Sequence, residues 1–380
     1  MAINLLLDDE QQLIVDSAIS FLADASPMTR VRTVSDSVDG IDHALWRGLA
    51  DLGWCGVHLP EEVGGLGLGW IELSLLHEQL GRHLACVPFF EGIALAATAL
   101  RELPDSASAQ ALLPQLASGE SRAVLAMPPE ADAALALAHA SPGGWVLEGS
   151  WPQVGAAGSA DILLLPARSA TGEMLLFSVA KDLTDLQVQA VTTLDATRRS
   201  ANVHAQALAL PESACLARGA VLGAALERVR CLAAIALAAE QVGVAQQCLD
   251  LTLAYTAQRS QFGKAIAGFQ AVKHRCAQML VRVEAARSAV YGAACMADAS
   301  TDAATLLLFA AQARLEATQA SQFCGRESIQ LHGGVGFTWE YDPHFYLRRS
   351  QANSHRLGSV SEWLEQVAQQ LLDPAAEELA

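Results

Sequence analysis

The segment from Ala224 to Gln258, AALERVRCLAAIALAAEQVGVAQQCLDLTLAYTAQ, constrains this chain more than any other. It reads as one long helix, and its middle is apolar nearly all round. A helix with no polar stripe has no face to give to water, so it must lie inside a bundle. Glu240 interrupts that apolar run. Burying a lone carboxylate is costly, so such a residue is usually paired, neutral or functional.

The rest of the chain separates into regions by pattern. In residues 1–120, apolar positions recur every three or four residues, as in DDEQQLIVDSAISFLAD behind its acidic start. A second helix is expected around Asp42 to Leu52. HLPEEVGGLGLG reads as a Gly-rich loop, and IELSLLHEQLGRHL resumes the helical period. Residues 121–212 change to short apolar pieces (AVLAM, WVLEG, DILLLPA, EMLLFSVA, LQVQAV, NVHAQALAL) divided by Pro, Gly, Ser and Asp, the pattern of a small β domain. Residues 130–142 are very rich in Ala. From residue 213 to the end long helical patterns return, at about 224–258, 268–296, 302–328 and 359–372. The fold class this predicts is α+β, mainly α: a helical domain, a β domain and a helical bundle. Of the 380 residues, 52% are hydrophobic and only 6% aromatic, so the core is aliphatic, which favours packed helices.

The formal charge of −17 argues against nucleic acid and against an anionic membrane surface as partners. It does not exclude a phosphate-bearing ligand, for which a local basic pocket is enough. The cysteines at 55, 86, 215, 231, 248, 276, 295 and 324 form no CxxC pair and no Cys/His metal spacing. They read as reduced, mostly buried thiols of a cytoplasmic protein, with no metal. MAINLLLDDEQQ lacks the basic start of a signal peptide, and the longest apolar run, CLAAIALAA, is far short of a membrane span.

Two motifs carry chemistry. In RSQFGKAIAGFQ, from Arg259 to Gln270, Arg259 offers a planar, permanently charged fork suited to a pyrophosphate, and Gly263 permits a sharp exit after a helix. In QLHGGVGF, from Gln330 to Phe337, the absent side chains of Gly333 and Gly334 let backbone approach a ligand. The plainer reading is that Arg259 caps a helix end and Gly333–Gly334 is a turn. Both motifs, with HLPEEVGGLGLG, LLHEQLGRHL, TRRSANVHAQALALP and TWEYDPHFYLRR in order along nearly the whole chain, resemble the acyl-CoA dehydrogenase family of flavoproteins. The resemblance implies FAD as cofactor, with Arg259, Phe262 and Gln270 reaching across a dimer to a neighbour's FAD. It also implies that Gln330, Gly333 and Gly334 approach the FAD adenylate. An acyl-CoA substrate and an electron-transfer flavoprotein or similar acceptor are implied as well.

The chain departs from the family where the flavin ring and the base should be. A loop resembling TEPGAGSD is matched by AMPPEADAALAL, in which Met127, Pro128, Pro129 and Glu130 replace the Gly-rich turn and its Ser. A Trp-x-Thr pair is matched by SWPQVG, which keeps Trp151 and lacks the Thr. The usual catalytic Glu falls on Leu357, and the alternative position on Ala233, beside Ala234; none of these can take a proton. Glu240 lies seven residues past Ala233, on about the same face and about 10 Å along the axis. It is the one candidate base, with an ion pair to an Arg or His of a neighbouring helix, such as Arg275 or His274, as its structural alternative. Arg348, Arg349, His355 and Arg356 form a basic cluster that suits CoA or FAD phosphates, a solvated helix face or a subunit contact. The expectation is a subunit of a heteromeric (α2β2) acyl-CoA dehydrogenase that supplies the trans half of the FAD site to a second, catalytic subunit. Such assemblies are associated with bulky acyl-CoAs, including those of steroid side chains. The alternatives are a self-sufficient homo-oligomer using Glu240 and a flavin-free acyl-CoA-binding or scaffolding protein.

Overall fold

The computed structural model describes residues 6–127, 136–299 and 302–372. In chain order it begins with helices α1 (Asp9–Ala25), α2 (Met28–Ser35), α3 (His43–Asp51) and α4 (Trp70–Arg82). A buried π-helical stretch, Phe90–Ala97, runs into α5 (Thr98–Arg101), followed by α6 (Ala107–Gln110) and α7 (Leu113–Ala117). Eight strands come next: β1 (Ala123–Leu125), β2 (Ala136–Ser141), β3 (Gly144–Gly155), β4 (Ile162–Ser169), β5 (Met174–Ala180), β6 (Leu186–Val191), β7 (Ser200–Pro211) and β8 (Cys215–Arg218). The 40-residue α8 (Gly219–Gln258) leads through the short hairpin β9 (Ser260–Gln261) and β10 (Lys264–Ala265) to α9 (Gln270–Asp298). Helices α10 (Ala303–His332), α11 (Pro343–Asn353) and α12 (Val360–Leu372) complete the chain. The architecture is α+β, mainly α, as the pattern predicts.

Local chemistry sets many of these boundaries. Asp8 caps α1 in a reciprocal capping box with Gln11, and Asp42 caps α3 through the amides of Ala44 and Leu45. Asp302 caps α10 through the Thr305 amide, and Pro343 starts α11 where no N–H is needed.

By packing, the described residues fall into two compact units. One draws on Arg32–Gly69 and Cys86–Ala233 and holds the sheet, in the order β6-β7-β3-β2-β4-β5-β8, with β1 added parallel to β4. Every apolar piece expected as a strand lies in one. Alternation in β7 turns Ala201, Val203 and Ala205 inward onto a core anchored by Trp145, Trp151 and Phe177. The Ala-rich stretch supplies β2, which pairs antiparallel with β3 and parallel with β4.

The other unit draws on Met1–Val31, Trp70–Ala85 and Ala234–Ala380. Its centre is the C-terminal part of α8. Every residue from Cys231 to Ala245 is buried, as an all-round apolar helix requires. Two glycines let α4 and α8 approach closely. A Cβ at Gly243 would overlap the Glu78 carbonyl, and one at Gly81 would overlap the Glu240 carbonyl. The neighbours are backbone and cannot swing away. Gly243→Ala is therefore expected to lower the unfolding free energy by about 2–3 kcal/mol through overpacking. Gly223→Ala, also on α8 but with nothing near its added methyl, should stabilise by about 0.5–1 kcal/mol. Urea unfolding of the two variants checks this; equal stabilities would refute the close crossing.

Candidate functional site

The sequence motifs converge at one end of the second unit's bundle. Helix α8 stops at Gln258, and the Arg259 amide still donates to Tyr255 O at 2.9 Å. The chain then reverses through β9 and β10, where Lys264 pairs with Gln261 and leaves Phe262–Gly263 as a two-residue turn. Both have positive φ, +52° and +79°. That backbone normally selects Asn, Asp or Gly at the first position, and a bulky aromatic there is strained. Phe262 is also 92% exposed. A strained, solvent-facing phenylalanine contributes nothing to this chain's core, and retained strain of this kind marks functional positions.

Gln270 is the first residue of α9, whose N-cap, Phe269, offers no side-chain acceptor to the free amides. These amides and the helix dipole favour an anion. From Arg259 to Arg275 the chain carries Arg259, Lys264, Lys273, His274 and Arg275 and no acidic residue. In a chain of net charge −17 this is a local cationic patch. Gln330 sits in the last turn of α10, and Gly333 ends it at φ +67°, with its amide donating to Gln330 O and Ile329 O. A Cβ at Gly333 or at Gly334 would meet nothing within 4 Å, so both present open backbone.

One aromatic contact joins the two motifs. The rings of Tyr255 on α8 and His332 on α10 stack with centroids 4.3 Å apart, and Tyr341 packs edge-on against both. Tyr255 is one turn before Arg259, and His332 is beside Gly333. The stack therefore brings Arg259, Phe262, Gln270, Gln330, Gly333 and Gly334 to the same bundle end. His332 Nδ1 bonds Ser328 O at 2.7 Å. Neither Tyr255 nor His332 was singled out from sequence, because stacking partners 77 positions apart leave no local pattern.

Glu240 lies elsewhere, about 27 Å along α8 from Gln258. Its Oε1 accepts from Arg349 Nη1 at 3.0 Å and from Asn353 Nδ2 at 2.9 Å, and the Glu240 and Arg349 side chains are 2% and 1% exposed. The ion pair to an arginine of a neighbouring helix is present, but the partner is Arg349 and not Arg275 or His274. Arg275 pairs instead with Glu327 at 3.4 Å, on α10. The basic cluster also divides: Arg349 is buried, His355 is exposed, and Arg348 lies over the Trp339 ring at 4.8 Å.

In the sheet-bearing unit, Trp151 is core. Its indole N–H donates to Pro166 O at 2.8 Å, and the ring is buried. Pro152 follows without an N–H, and Gln153 stands exposed in the left-handed region where the family pattern has Thr. Pro128, Pro129 and Glu130 lie outside the described residues. All eight cysteines are free; five are buried, and burial pushes the Cys55 thiol up to about 12. Among the described residues no group of His, Cys, Asp and Glu could hold a metal. No described helix is long and apolar enough to cross a membrane.

Two measurements follow. Leaving Arg349 buried without its anion should make Glu240→Gln cost about 3–5 kcal/mol in urea unfolding, and Glu240→Gln with Arg349→Met should cost less than the two single changes summed. The second concerns pH. Burial holds His332 below its ordinary 6.5, against the opposing Ser328 carbonyl and Asp342; burial acts the same way on His83. Neutral His332 is thus favoured in the folded state. Its contribution is complete above about 6.5 and is lost as pH falls below that value. His332→Phe, which keeps a ring and cannot protonate, should show a shallower fall in stability between pH 7 and pH 5; an unchanged slope would contradict this.

Residues 8–120 match the model of the acyl-CoA dehydrogenase N-terminal domain, and residues 224–372 match that of the C-terminal domain. The acyl-CoA dehydrogenase IpdE2 of Mycobacterium tuberculosis is 33% identical over 362 residues, 94% of this chain and 96% of that protein. The acyl-CoA dehydrogenase FadE34 of the same organism is 36% identical over 326 residues, 85% of this chain but 41% of that protein. Among solved structures, the Tcur3481-Tcur3483 steroid ACAD superposes with a TM-score of 0.84 at 31% identity, covering 97% of this chain and 99% of that one. Butyryl-CoA dehydrogenase from Megasphaera elsdenii, at 23% identity, shares the fold with a TM-score of 0.87 over 98% of this chain and 100% of that one. The chain belongs to the acyl-CoA dehydrogenase family of FAD-dependent oxidoreductases.

Proposed function

We propose that this chain is the cofactor-completing subunit of a heteromeric acyl-CoA dehydrogenase. It supplies Arg259, Phe262, Gln270, Gln330, Gly333 and Gly334 to a FAD whose flavin ring and catalytic base belong to a second, related subunit. The observation that carries this reading is an asymmetry. The bundle-end motif is intact, outward-facing and strained at Phe262. The positions that would hold a proton are Leu357, Ala233 and Ala234.

The donor set at the bundle end suits the far half of FAD. Arg259 would engage the diphosphate as a fork, aided by the uncapped α9 amides. Gln270 and Gln330 would give neutral hydrogen bonds, and Gly333–Gly334 would let backbone lie against the adenylate. When bound, FAD supplies the hydride acceptor of α,β-dehydrogenation. The sheet-bearing unit fits the flavin ring poorly: Trp151 has spent its N–H on Pro166, Pro152 has none, and Gln153 replaces a hydroxyl. Glu240 is tied by two buried donors and is read as structural, because a carboxylate so held is not free to approach a substrate carbon.

The substrate class proposed is a bulky acyl-CoA thioester, including steroid side-chain acyl-CoAs. The support is likeness to the two-component Tcur3481-Tcur3483 steroid ACAD at 31% identity over nearly the whole chain. An electron-transfer flavoprotein or a similar carrier is proposed as acceptor. The test is Arg259→Ala in the complex purified from the native host. Losing one charge-assisted contact of about 1.5–3 kcal/mol should weaken FAD binding about tenfold to a hundredfold with unchanged far-UV circular dichroism. Unaltered flavin content would remove the main support for the reading.

A further inference from the structure

Arg314 is the most deeply buried charge in the helical unit that the site does not use. It lies on α10 with no exposed surface, and burial pushes its guanidinium down to about 10, so it remains a cation at neutral pH. No carboxylate pairs with it among the described residues. Nη1 donates to Gln241 Oε1 at 2.6 Å and Thr318 Oγ1 at 3.4 Å. Nη2 donates to two backbone carbonyls, Asn353 O at 3.1 Å and Arg356 O at 3.0 Å. Its Nε is buried without a partner among the described residues. A buried cation held only by neutral oxygens, and not by all its donors, is costly and persists where its geometry is needed.

Those two carbonyls flank the turn after α11. The turn passes through Leu357 at φ +58° and Gly358 at φ +92°. A leucine in the left-handed region is strained, and such strain survives only where the surroundings over-determine it. They do so here. Trp363 Nε1 donates to Leu357 O at 2.9 Å, Glu362 Oε2 accepts from the Ser359 amide at 2.6 Å, and Asn353 is tied through its side chain to Glu240. The last carbonyls of α11 also carry the negative end of its dipole, which the Arg314 cation complements.

We infer that Arg314 is a positioning residue that locks the Asn353–Gly358 turn and holds Leu357, at the position where the family carries its usual base, in its strained conformation. That a fixed turn at this position serves a FAD-sharing complex rests on the function proposed above; the locking itself does not. It is therefore tested on the isolated chain by hydrogen exchange, which needs neither flavin nor partner.

Arg314→Met and Arg314→Lys would be compared with the unaltered chain. For Arg314→Met, amide exchange from Ser354 to Ser359 should accelerate at least tenfold, while the middles of α8 and α9 keep their protection. Arg314→Lys retains the charge but not the fork, and should restore part of the protection. Uniform acceleration throughout the bundle, or no change at the turn, would overturn the inference. Should Arg314→Met fail to fold, Arg314→Lys and Leu357→Gly keep the test open. Leu357→Gly removes the strain and should accelerate exchange at the turn while raising the thermal midpoint; a lowered midpoint would count against a strained leucine.

Discussion

The burial of α8 on all sides from Ala234 to Ala245 is the constraint from which the helical unit follows. A helix with no solvent face must be met by neighbours everywhere, and any polar group on it must find its partner inside the protein. Gly81 and Gly243 allow α4 to come within backbone contact on one side. Elsewhere Glu240 and Gln241 draw Arg349 and Asn353 from α11 and Arg314 and Thr318 from α10. The result is a connected polar seam of one anion and two cations within an aliphatic core. It specifies which helices meet and in what register, and it determines how the chain leaves α11.

The same helix places the site. Its last turn carries Tyr255, whose stack on His332 joins the ends of α8 and α10. The bundle end therefore collects an acid-free cationic segment, an uncapped helix start and two open glycines. Burial inside gives rigidity, and exposure at the end leaves these groups open to solvent. Phe262 expresses that division most clearly: it is exposed and backbone-strained, and its ring contact is edge-on with Phe269, itself half-buried.

Much of this was legible in the sequence because the signals were local. Helix periodicity, the cap at Asp42 and the alternation of β7 each depend on residues within a few positions of one another. Glycine behaviour at Gly263 and Gly333 was legible for the same reason: positive φ is a property of the residue itself. The strand β2 was not legible, because Ala favours helix and only pairing with β3 and β4 fixes ALAHAS as extended. An arginine of a neighbouring helix as the Glu240 partner was legible, but not which one, because Arg275, His274 and the basic residues near the C-terminus look alike as charges. Which of them points inward is decided by the face of α11, and Arg349, not Arg348, lies on the buried one. Arg314 gave no signal at all, since the two backbone carbonyls it holds lie 39 and 42 positions away and Gln241 lies 73.

The central claim is that the chain holds half of a FAD site, and the visible absorption spectrum tests it most directly. The chain would be purified alone, incubated with excess FAD and desalted, then compared with the chain isolated from its native host together with any subunit that co-purifies. A half-site predicts no retained flavin band from the well-folded chain alone and a flavin band from the chain with its co-purifying subunit. Near-stoichiometric flavin on the chain alone would contradict it, and would mean that the β-sheet unit holds the flavin ring by contacts other than those of Trp151 and its neighbours.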